Sequence, residues 1–559
     1  MLSARGTLRF QQQIYRCSSA EVLTTTRLLS SKVNPDSAPA KSPINFNDSR
    51  AAFRTKSFAQ LLRARIVYTV CTIPVLVKNA EYLIRTSYKV LGPSATNVLM
   101  KYTFFGHFCG GEDARTIKPT VDFLKSNGIG AIFDYAAESD VAEDESKESA
   151  KPSSPAKASA MPPVTAYDSK DETKGRVYHY VDEDVCDKHL RTFEDCIRAV
   201  HASSEQGFAA IKVTALGNPN LLKRMSVTLR EIRQLFMKFD TDGTGVISKD
   251  QFIKQYNQYF VAPANFSDTT FATVDKDGNG VVDYFEWSNA IVLENVRELV
   301  KFCKNKEGPL SLSVLNDDEM KDLARMRERV DHLAELANKL GVRLMIDAEH
   351  SYFQPAIDNI AQQLSAKYNN GAFPIIFNTY QMYLKDARYR MNLDFERAQR
   401  TNTHFAAKIV RGAYMVLERA HAKETGQADP ILPTLPDTHE NYNSAIKSMI
   451  GHMADGKKVE IMIASHNQRS IELALTEMQA KNLTPKAKVY FGQLLGMADH
   501  LTFHLGGAGY KAYKYVPYGK VNEVMPYLVR RAQENADVLG NARAELTMVG
   551  QEILRRMKL

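Results

Sequence analysis

From about Ile129 onward, short apolar runs recur: IGAIFDYAAE (129–138), AAIKVTALG (209–217), VRLMIDAEH (342–350), FPIIFNTYQ (373–381), AAKIVRGAY (406–414), VEIMIASHN (459–467), KVYFGQLLG (488–496) and KAYKYVPYG (511–519). Each is mostly apolar and ends in polar residues or Gly, the pattern of a strand buried on both faces of a parallel sheet. Between them lie segments of helical period, among them 317–340, 354–368, 438–453, 468–481 and 522–538. Strict alternation of strand and helix forces parallel strands with right-handed crossovers, and eight such units is the count of a closed (β/α)8 barrel of TIM type. The fold class is α/β. An open doubly wound sheet is the alternative, but no Gly-x-Gly-x-x-Gly follows a first strand, and the cluster Gly506-Gly507-Ala508-Gly509 precedes a strand instead.

Two insertions interrupt the alternation. Residues 138–175 are charged and rich in Ser, Pro and Ala, which predicts a disordered loop. The second, about 218–310, carries a 12-residue calcium-loop motif of the EF-hand type, DKDGNGVVDYFE (275–286). Asp275, Asp277, Asn279, Asp283 and Glu286 fall at the oxygen-ligand positions, Val281 offers a backbone carbonyl, and Gly280 makes the turn. Val282 is placed to pair with a sister loop. That sister, 240–251, would use Asp240, Asp242, Thr244, Val246 and Ser248, but ends in Gln251, which cannot supply a bidentate carboxylate. The first loop is therefore expected to bind Ca²⁺ weakly and the second tightly. The insertion reads as an all-α EF-hand pair over 225–304, and the alternative is that both loops are kept for packing alone.

Reactive groups of a (β/α)8 barrel sit at the C-terminal ends of its strands. Those ends offer Lys212; Asp347, Glu349 and His350; Asn378 and Gln381; Lys408, Arg411 and Tyr414; Ser465, His466 and Asn467; Gln493; Tyr515 and Tyr518. Buried charge of this density is unfavourable unless paired or used. One chemistry would have Asp347, Glu349 and His466 hold a divalent metal, with Lys212 as base. The other sets cations and amides around an anionic redox cofactor such as a flavin. In the last barrel helix, Arg530 and Arg531 could grip a carboxylate, but spacing alone reads as a solvated basic face, since adjacent helical side chains diverge by about 100°.

Composition narrows the class. The chain has 559 residues with 44% apolar and 24% charged positions, which is ordinary for a globular protein. Its net charge of +8 is uneven: residues 1–33 carry Arg5, Arg9, Arg16, Arg27 and Lys32 against Glu21. That Ser/Thr-rich, acid-poor stretch reads as a mitochondrial transit peptide, and the mild remainder implies no nucleic-acid partner. Six scattered cysteines argue against a disulfide scaffold or a zinc ribbon. Residues 50–128 read as an N-terminal helical region and 541–559 as a C-terminal helix. Ile66–Val77 is too short to span a bilayer, contains Pro74, and reads as one core or surface-docking helix.

The segments AIKVTALG, RLMIDAEHSYFQPAI, IIFNTYQMYLKDA, AKIVRGAYMVLERA, MIASHN, VYFGQLLGM and YKYVPYG…VMPYLVRRAQEN, with FFGHFCGGED at 104–113, resemble the single-function mitochondrial proline dehydrogenases (proline oxidases) from about 98 to 540. The resemblance implies a barrel over 129–540 that holds FAD noncovalently. It implies oxidation of L-proline to Δ1-pyrroline-5-carboxylate, the first step of proline degradation to glutamate, with hydride passing to flavin N5 and electrons to ubiquinone or another quinone. It implies a protein of the mitochondrial matrix lying peripherally on the inner membrane. By the same resemblance, Asn378, Lys408, Val410, Gly412 and Tyr414 line the isoalloxazine and its chain, and Ser465, His466, Asn467 and Gln493 hold its ribityl, phosphate or adenosine parts. Lys212, Arg530 and Arg531 bind the substrate carboxylate, Asp347 orients Lys212, and Leu494 and Tyr515 wall the ring. Tyr515 is the proline-selecting choice where hydroxyproline-oxidising relatives carry a smaller residue. The alternatives are a hydroxyproline-preferring flavin dehydrogenase and a calcium-sensing scaffold with an inactive barrel.

Overall fold

A computed structural model describes residues 44–113, 115–136, 139–140, 176–177, 182–204, 207–261, 266–537 and 539–557. The transit-peptide expectation (1–33) and most of the disordered-loop expectation (141–175) lie outside these residues. Ser139–Asp140, at the start of that insertion, pairs antiparallel with Arg176–Val177. The chain divides into two compact units: described residues 223–320, and residues 44–222 with 321–557.

The larger unit is built on eight parallel strands: β1 (Ile129–Tyr135), β2 (Phe208–Ile211), β3 (Arg343–Ile346), β4 (Ile376–Gln381), β5 (Phe405–Val410), β6 (Val459–Ala464), β7 (Val489–Leu494) and β8 (Lys511–Tyr518). They bond in chain order, and β8 closes on β1 with Ile132 opposite Tyr515, so the closed barrel forms and the open sheet is excluded. Several chain entries into the strands use a left-handed residue just upstream, such as Asn402 (φ 54°) before β5 and Asn482 (φ 56°) before β7. Asparagine tolerates that conformation because its short polar side chain bonds locally.

Most strands stop three or more residues short of the predicted segments. β2 ends at Ile211 and passes into a 3₁₀ turn at Val213–Ala215. The cause is a side chain distant in sequence: the buried Glu349 carboxylate accepts from the Thr214 amide (3.2 Å) and hydroxyl (2.6 Å) and bends the chain there. Ile66–Val77 likewise departs from the single helix expected. The helix Phe58–Cys71 ends at Thr72, and Pro74, lacking an N–H, opens a second helix, Pro74–Lys78.

Inside the barrel, side chains from alternate positions fill the bore: Phe208, Ala210, Met345, Phe377, Ala406, Met462, Tyr490 and Tyr513. The rings of Phe208, Phe377, Tyr490 and Tyr513 meet edge-on at 5.1–6.2 Å. Toward the strand starts, the Arg343 guanidinium lies 4.9 Å from the Phe373 ring centre and 5.6 Å from those of Phe208 and Tyr490. It faces the buried Glu460 at 3.6 Å, whose carboxylate also accepts from the Tyr490 hydroxyl at 2.7 Å. This end of the bore is a packed plug.

The smaller unit has its own aromatic core, including Phe236, Phe239, Phe252, Tyr256 and the fully buried Trp287, whose indole N–H donates to the Ile232 carbonyl at 3.1 Å. Two short strands, Val246–Ser248 and Val281–Asp283, pair antiparallel with Ile247 opposite Val282, both buried.

Breaking the Arg343–Glu460 pair from one side leaves the buried Glu460 with only the half-exposed Lys488, 3.5 Å away, as a cation partner. Arg343→Met is expected to lower stability by about 3–5 kcal/mol in urea unfolding, with much of the loss recovered in Arg343→Met/Glu460→Gln. Additive losses would show that the two groups act separately.

Candidate functional site

At the C-terminal ends of the strands, charge is concentrated around one carboxylate. Asp347, one residue past β3, accepts from the Lys408 ammonium of β5 and, at 2.8 Å, from the Tyr515 hydroxyl of β8. Lys212, one residue past β2, lies 4.0 Å from Asp347 and 3.8 Å from Asp134 of β1. The Lys408 ammonium sits 5.4 Å from the Tyr515 ring centre. All four charged groups are buried. Strand parity explains the convergence: Lys408 follows Ala406, and Tyr515 follows Tyr513, each two residues along from a bore-facing side chain. Asp347 thus fixes Lys408 and Tyr515 directly and Lys212 at longer range. Asp134 escaped the sequence reading; a lone acid inside the apolar IGAIFDY is the signal that could have found it.

Arg530 and Arg531 lie on the helix Met525–Asp537 and are only 7% and 9% exposed. The solvated basic face expected from spacing alone is therefore corrected: both guanidinium groups are inside. Arg531 stacks 4.7 Å from the Tyr527 ring and donates to Glu534 at 2.5 Å. Leu494 is partly buried and packs on the apolar cluster that includes Tyr527 and Leu528 of this helix.

A second cation marks the tops of β5 and β6. Arg411 is mostly buried, yet its hydrogen bonds go to neutral groups: Ser465 Oγ (2.6 Å), Ser470 Oγ (2.8 Å) and His439 Nδ1 (3.1 Å), with its guanidinium 4.2 Å from the Tyr442 ring centre. Desolvation lowers its pKa, and no carboxylate opposes that shift. Beside it Gly412 has φ +138°, and a Cβ there would fall 2.5 Å from the Tyr383 ring. The backbone amide of Tyr414 donates to the Tyr383 hydroxyl at 3.3 Å, and Val410 is half-buried.

Other predicted site residues are turned elsewhere. Asn378 lies between the bore-facing Phe377 and Thr379, so its amide points outward and donates to Asp358 at 3.0 Å. Gln493, next to Gly492, also faces the helical layer, donating to the Ser465 carbonyl (3.1 Å) and accepting from Thr502 (2.9 Å). Asn467 caps the helix Gln468–Ala480. His466 accepts from the Leu494 amide at 3.0 Å. Burial, with Lys514 and Arg531 nearby, pushes its pKa down to about 3, so the imidazole is neutral. The alternative metal set of Asp347, Glu349 and His466 does not converge, because Glu349 is engaged by Thr214 and His466 by Leu494.

The loop after β7, which carries Leu494, is held by charges that sequence reading missed. Lys514, fully buried on β8, donates to the carbonyls of Leu494 (3.1 Å) and Met497 (2.6 Å) and pairs with Asp499 at 2.8 Å. Asp499 also pairs with Lys56. Glu545, on the helix Leu539–Met557, accepts from the amides of Ala498 (2.8 Å) and Asp499 (2.7 Å), and the Tyr68 hydroxyl donates to the Gly496 carbonyl at 2.7 Å. Ala498 sits at φ +50°, a strain that these bonds sustain.

In the smaller unit, oxygens of Asp275, Asp277 and Glu286 lie within 4.8 Å of one another. Asp275 Oδ1 is buried with no hydrogen-bond partner. Its Oδ2 accepts from the Gly280 amide at 3.1 Å, and in the sister loop Asp240 likewise accepts from the amides of Thr244 (3.0 Å) and Gly245 (2.9 Å), while Gln251 accepts from the Ser248 amide (2.9 Å).

The family model described as proline dehydrogenase matches residues 117–544. The chain belongs to the proline dehydrogenase family. It is 37% identical to human proline dehydrogenase 1, mitochondrial, over 93% of this chain and 91% of that protein, and 35% identical to the Drosophila melanogaster protein of the same name, over 94% and 82%. It is 28% identical to hydroxyproline dehydrogenase of Xenopus laevis, over 93% and 92%. Among solved structures, proline utilization A from Bdellovibrio bacteriovorus matches with a TM-score of 0.50 at 14% identity, over 87% of this chain and 38% of that one, a likeness of fold. The Asp347 cluster thus lies in the barrel of a proline dehydrogenase.

Asp499 offers a test of the loop clamp. Burial raises its pKa, but Lys514 and Lys56 outweigh that and hold it well below the carboxylate range. Its contribution to stability is therefore present above the unfolded value near pH 4 and lost as pH falls below it. Asp499→Asn is expected to cost about 3–5 kcal/mol at pH 7 and to flatten the acid side of the stability profile. An unchanged acid limb in urea titrations would refute the assignment.

Proposed function

We propose that this chain oxidises L-proline to Δ1-pyrroline-5-carboxylate in the mitochondrion, using FAD and passing electrons to a quinone. The observation that carries this reading is the buried cluster of Asp347, Lys408, Tyr515 and Lys212 at the strand ends of a barrel whose last helix buries Arg530 and Arg531. Relatives named as mitochondrial proline dehydrogenases are more similar than those named as hydroxyproline dehydrogenases, which favours proline.

The residues fit FAD on a point of charge. Arg411 is a buried cation bonded only to hydroxyls and an imidazole, a setting that suits an anionic pyrophosphate. Lys408, Val410, Gly412 and Tyr414 would hold the ring system and its chain, and Ser465 and His466 the part nearest Arg411. Asn378, Asn467 and Gln493 would act through the neighbours they fix. FAD, when bound, supplies the acceptor for the hydride that leaves the substrate ring carbon. The chain's own residues bind and orient. Arg530, Arg531 and Lys212 draw the substrate carboxylate, and fixing that end sets the ring in one pose. Leu494 and Tyr515 wall the ring, Tyr515 being immobilised by Asp347. A substrate amine arriving as a cation must lose its proton before the nitrogen can assist, so turnover rises with pH.

Arg531→Ala is expected to raise the proline KM at least about tenfold with flavin still bound. Dye-linked assays on proline and hydroxyproline, beside a flavin spectrum, measure both. An unchanged KM would overturn the carboxylate assignment, colourless protein the cofactor assignment, and a preference for hydroxyproline the substrate.

In the same reading the smaller unit is an EF-hand pair. Loop 275–286 holds Ca²⁺ through Asp275, Asp277, Asn279, the Val281 carbonyl, Asp283 and Glu286, and the buried, partnerless Asp275 oxygen fits that role. Loop 240–251 is weak, since Gln251 is neutral where loop 275–286 has Glu286. Calorimetry of the full chain is expected to show one tight Ca²⁺ event that Glu286→Gln weakens by at least about 100-fold. A heat unchanged by that substitution would refute the site.

A further inference from the structure

Residues 347–353, the loop after β3, run beside the helix Met415–Glu424 that follows β5. Tyr414, at the N-cap of that helix, Glu418 and His421 are spaced by four and then three residues, which puts them on one helical face. The loop meets that face at each step. The His350 ring lies 4.4 Å from the Tyr414 ring, and the Tyr352 ring 4.6 Å from that of His421. Between them, Ser351 donates to the Glu418 carboxylate through its amide (2.6 Å) and its hydroxyl. His350 also stacks on Tyr352 at 5.0 Å with the ring planes 9° apart. The loop begins at Asp347, which binds Lys408 of β5, so its first residue is tied to the same strand-helix unit.

His350 and Glu418 are each only 1% exposed. The imidazole is held by its ring contacts rather than by its nitrogens. Nδ1 stands 3.5 Å from Glu418, outside the usual hydrogen-bond range of about 2.7–3.2 Å, and Nε2 has no hydrogen-bond partner among the described residues. A buried ring with unpaired nitrogens is unfavourable as packing alone. Burial raises the Glu418 pKa, but His350 and Ser351 outweigh that and hold it below the usual carboxylate value. The group that faces the imidazole is therefore a carboxylate. Its own backbone amide donates to the Tyr414 carbonyl at 2.9 Å, which ties it to the residue that the imidazole touches.

Tyr414 is where such a support has an effect. Its side chain makes no capping bond to the helix it starts, and Gly412, two residues earlier, sits at φ +138°, a conformation that leaves the approach to Tyr414 pliant. We infer that His350 and Glu418 are positioning residues for the cofactor: Glu418 sets the loop and its imidazole, and the imidazole sets the Tyr414 ring against the flavin. The inference rests on the proposed function for the place of Tyr414 beside the flavin. The contacts among His350, Ser351, Glu418 and Tyr414 do not depend on it.

The rate at which FAD leaves the full-length holoenzyme on dilution, followed by the gain in flavin fluorescence, tests this through a double-mutant cycle. His350→Ala is expected to speed release at least about fivefold, and His350→Ala/Tyr414→Ala to release FAD no faster than Tyr414→Ala does alone. Glu418→Gln keeps an oxygen to accept from Ser351, so it serves where His350→Ala folds poorly. It should speed release at least about twofold and lose that effect in the Tyr414→Ala background. Both single variants should lower kcat while the proline KM stays within about twofold, because the cations that draw the substrate carboxylate are untouched. Release as slow as wild type in both variants overturns the proposal. So do losses that add to that of Tyr414→Ala, since the pair would then support the fold without acting through Tyr414. Wild-type protein that is yellow and oxidises proline, with variants that behave in either of those ways, leaves the proposed function standing and this inference refuted. Colourless wild-type protein refutes the cofactor assignment and this inference with it.

Discussion

The carboxylate of Asp347 is the constraint on which the barrel mouth depends. It is a buried acid that accepts from Lys408 and Tyr515 and stands 4.0 Å from Lys212, which Asp134 supports from the neighbouring strand. An unpaired charge buried at a strand end is costly. Here two acids and two lysines answer one another at contact distance, and the two side chains bound to Asp347 lose their rotamer freedom before any ligand arrives. The arrangement needs a closed barrel, because the groups come from β1, the ends of β2 and β3, β5 and β8, strands that meet only when β8 bonds to β1.

Elements outside the barrel serve the same end. Backbone groups of the loop from Leu494 to Asp499 are gripped by Lys514, Glu545, Tyr68 and His466, and Lys56 reaches Asp499 from before the first long helix. Glu545 lies beyond the last strand and Tyr68 well before the first, so the chain's two ends close on the loop that presents Leu494. A hydrophobic seam between the helices Phe58–Cys71 and Leu539–Met557, made by Leu61, Ala64, Tyr68, Met548, Val549 and Ile553, holds those ends together.

The apolar runs made the eight strands readable, because a strand buried on both faces must be apolar at nearly every position. Where each strand stops was not readable: the turn at Thr214 is made by Glu349, 135 residues away. Lys212, Asp347, Lys408 and Tyr515 were nominated because barrel chemistry gathers at strand ends, and the fold brings the four together. Asn378 and Gln493 were placed in the mouth by the same rule without its parity. Period-two alternation from Phe377 and Tyr490 turns both toward the helical layer, where they bond Asp358, Ser465 and Thr502. Lys514 and Glu545 carried no local signal, since each is defined only by partners brought close by folding.

The barrel holds two buried charge clusters, and their surroundings separate their uses. Arg343 and Glu460 are enclosed by Phe208, Phe373 and Tyr490, with Tyr490 also bonding the acid, so each charge is answered within a packed plug. Such a pair adds little net stability, and apolar residues of equal volume could replace it. At the mouth the balance differs. Arg411 has only neutral hydrogen-bond partners, and Arg530 and Arg531 are sequestered on a helix packed near Leu494. Arg531 is answered in part by Glu534, but a guanidinium buried beside neutral partners, as Arg411 is, gains when an anion completes it. That requirement, more than any single motif, is why the mouth reads as a binding site for anionic groups and the plug as structure.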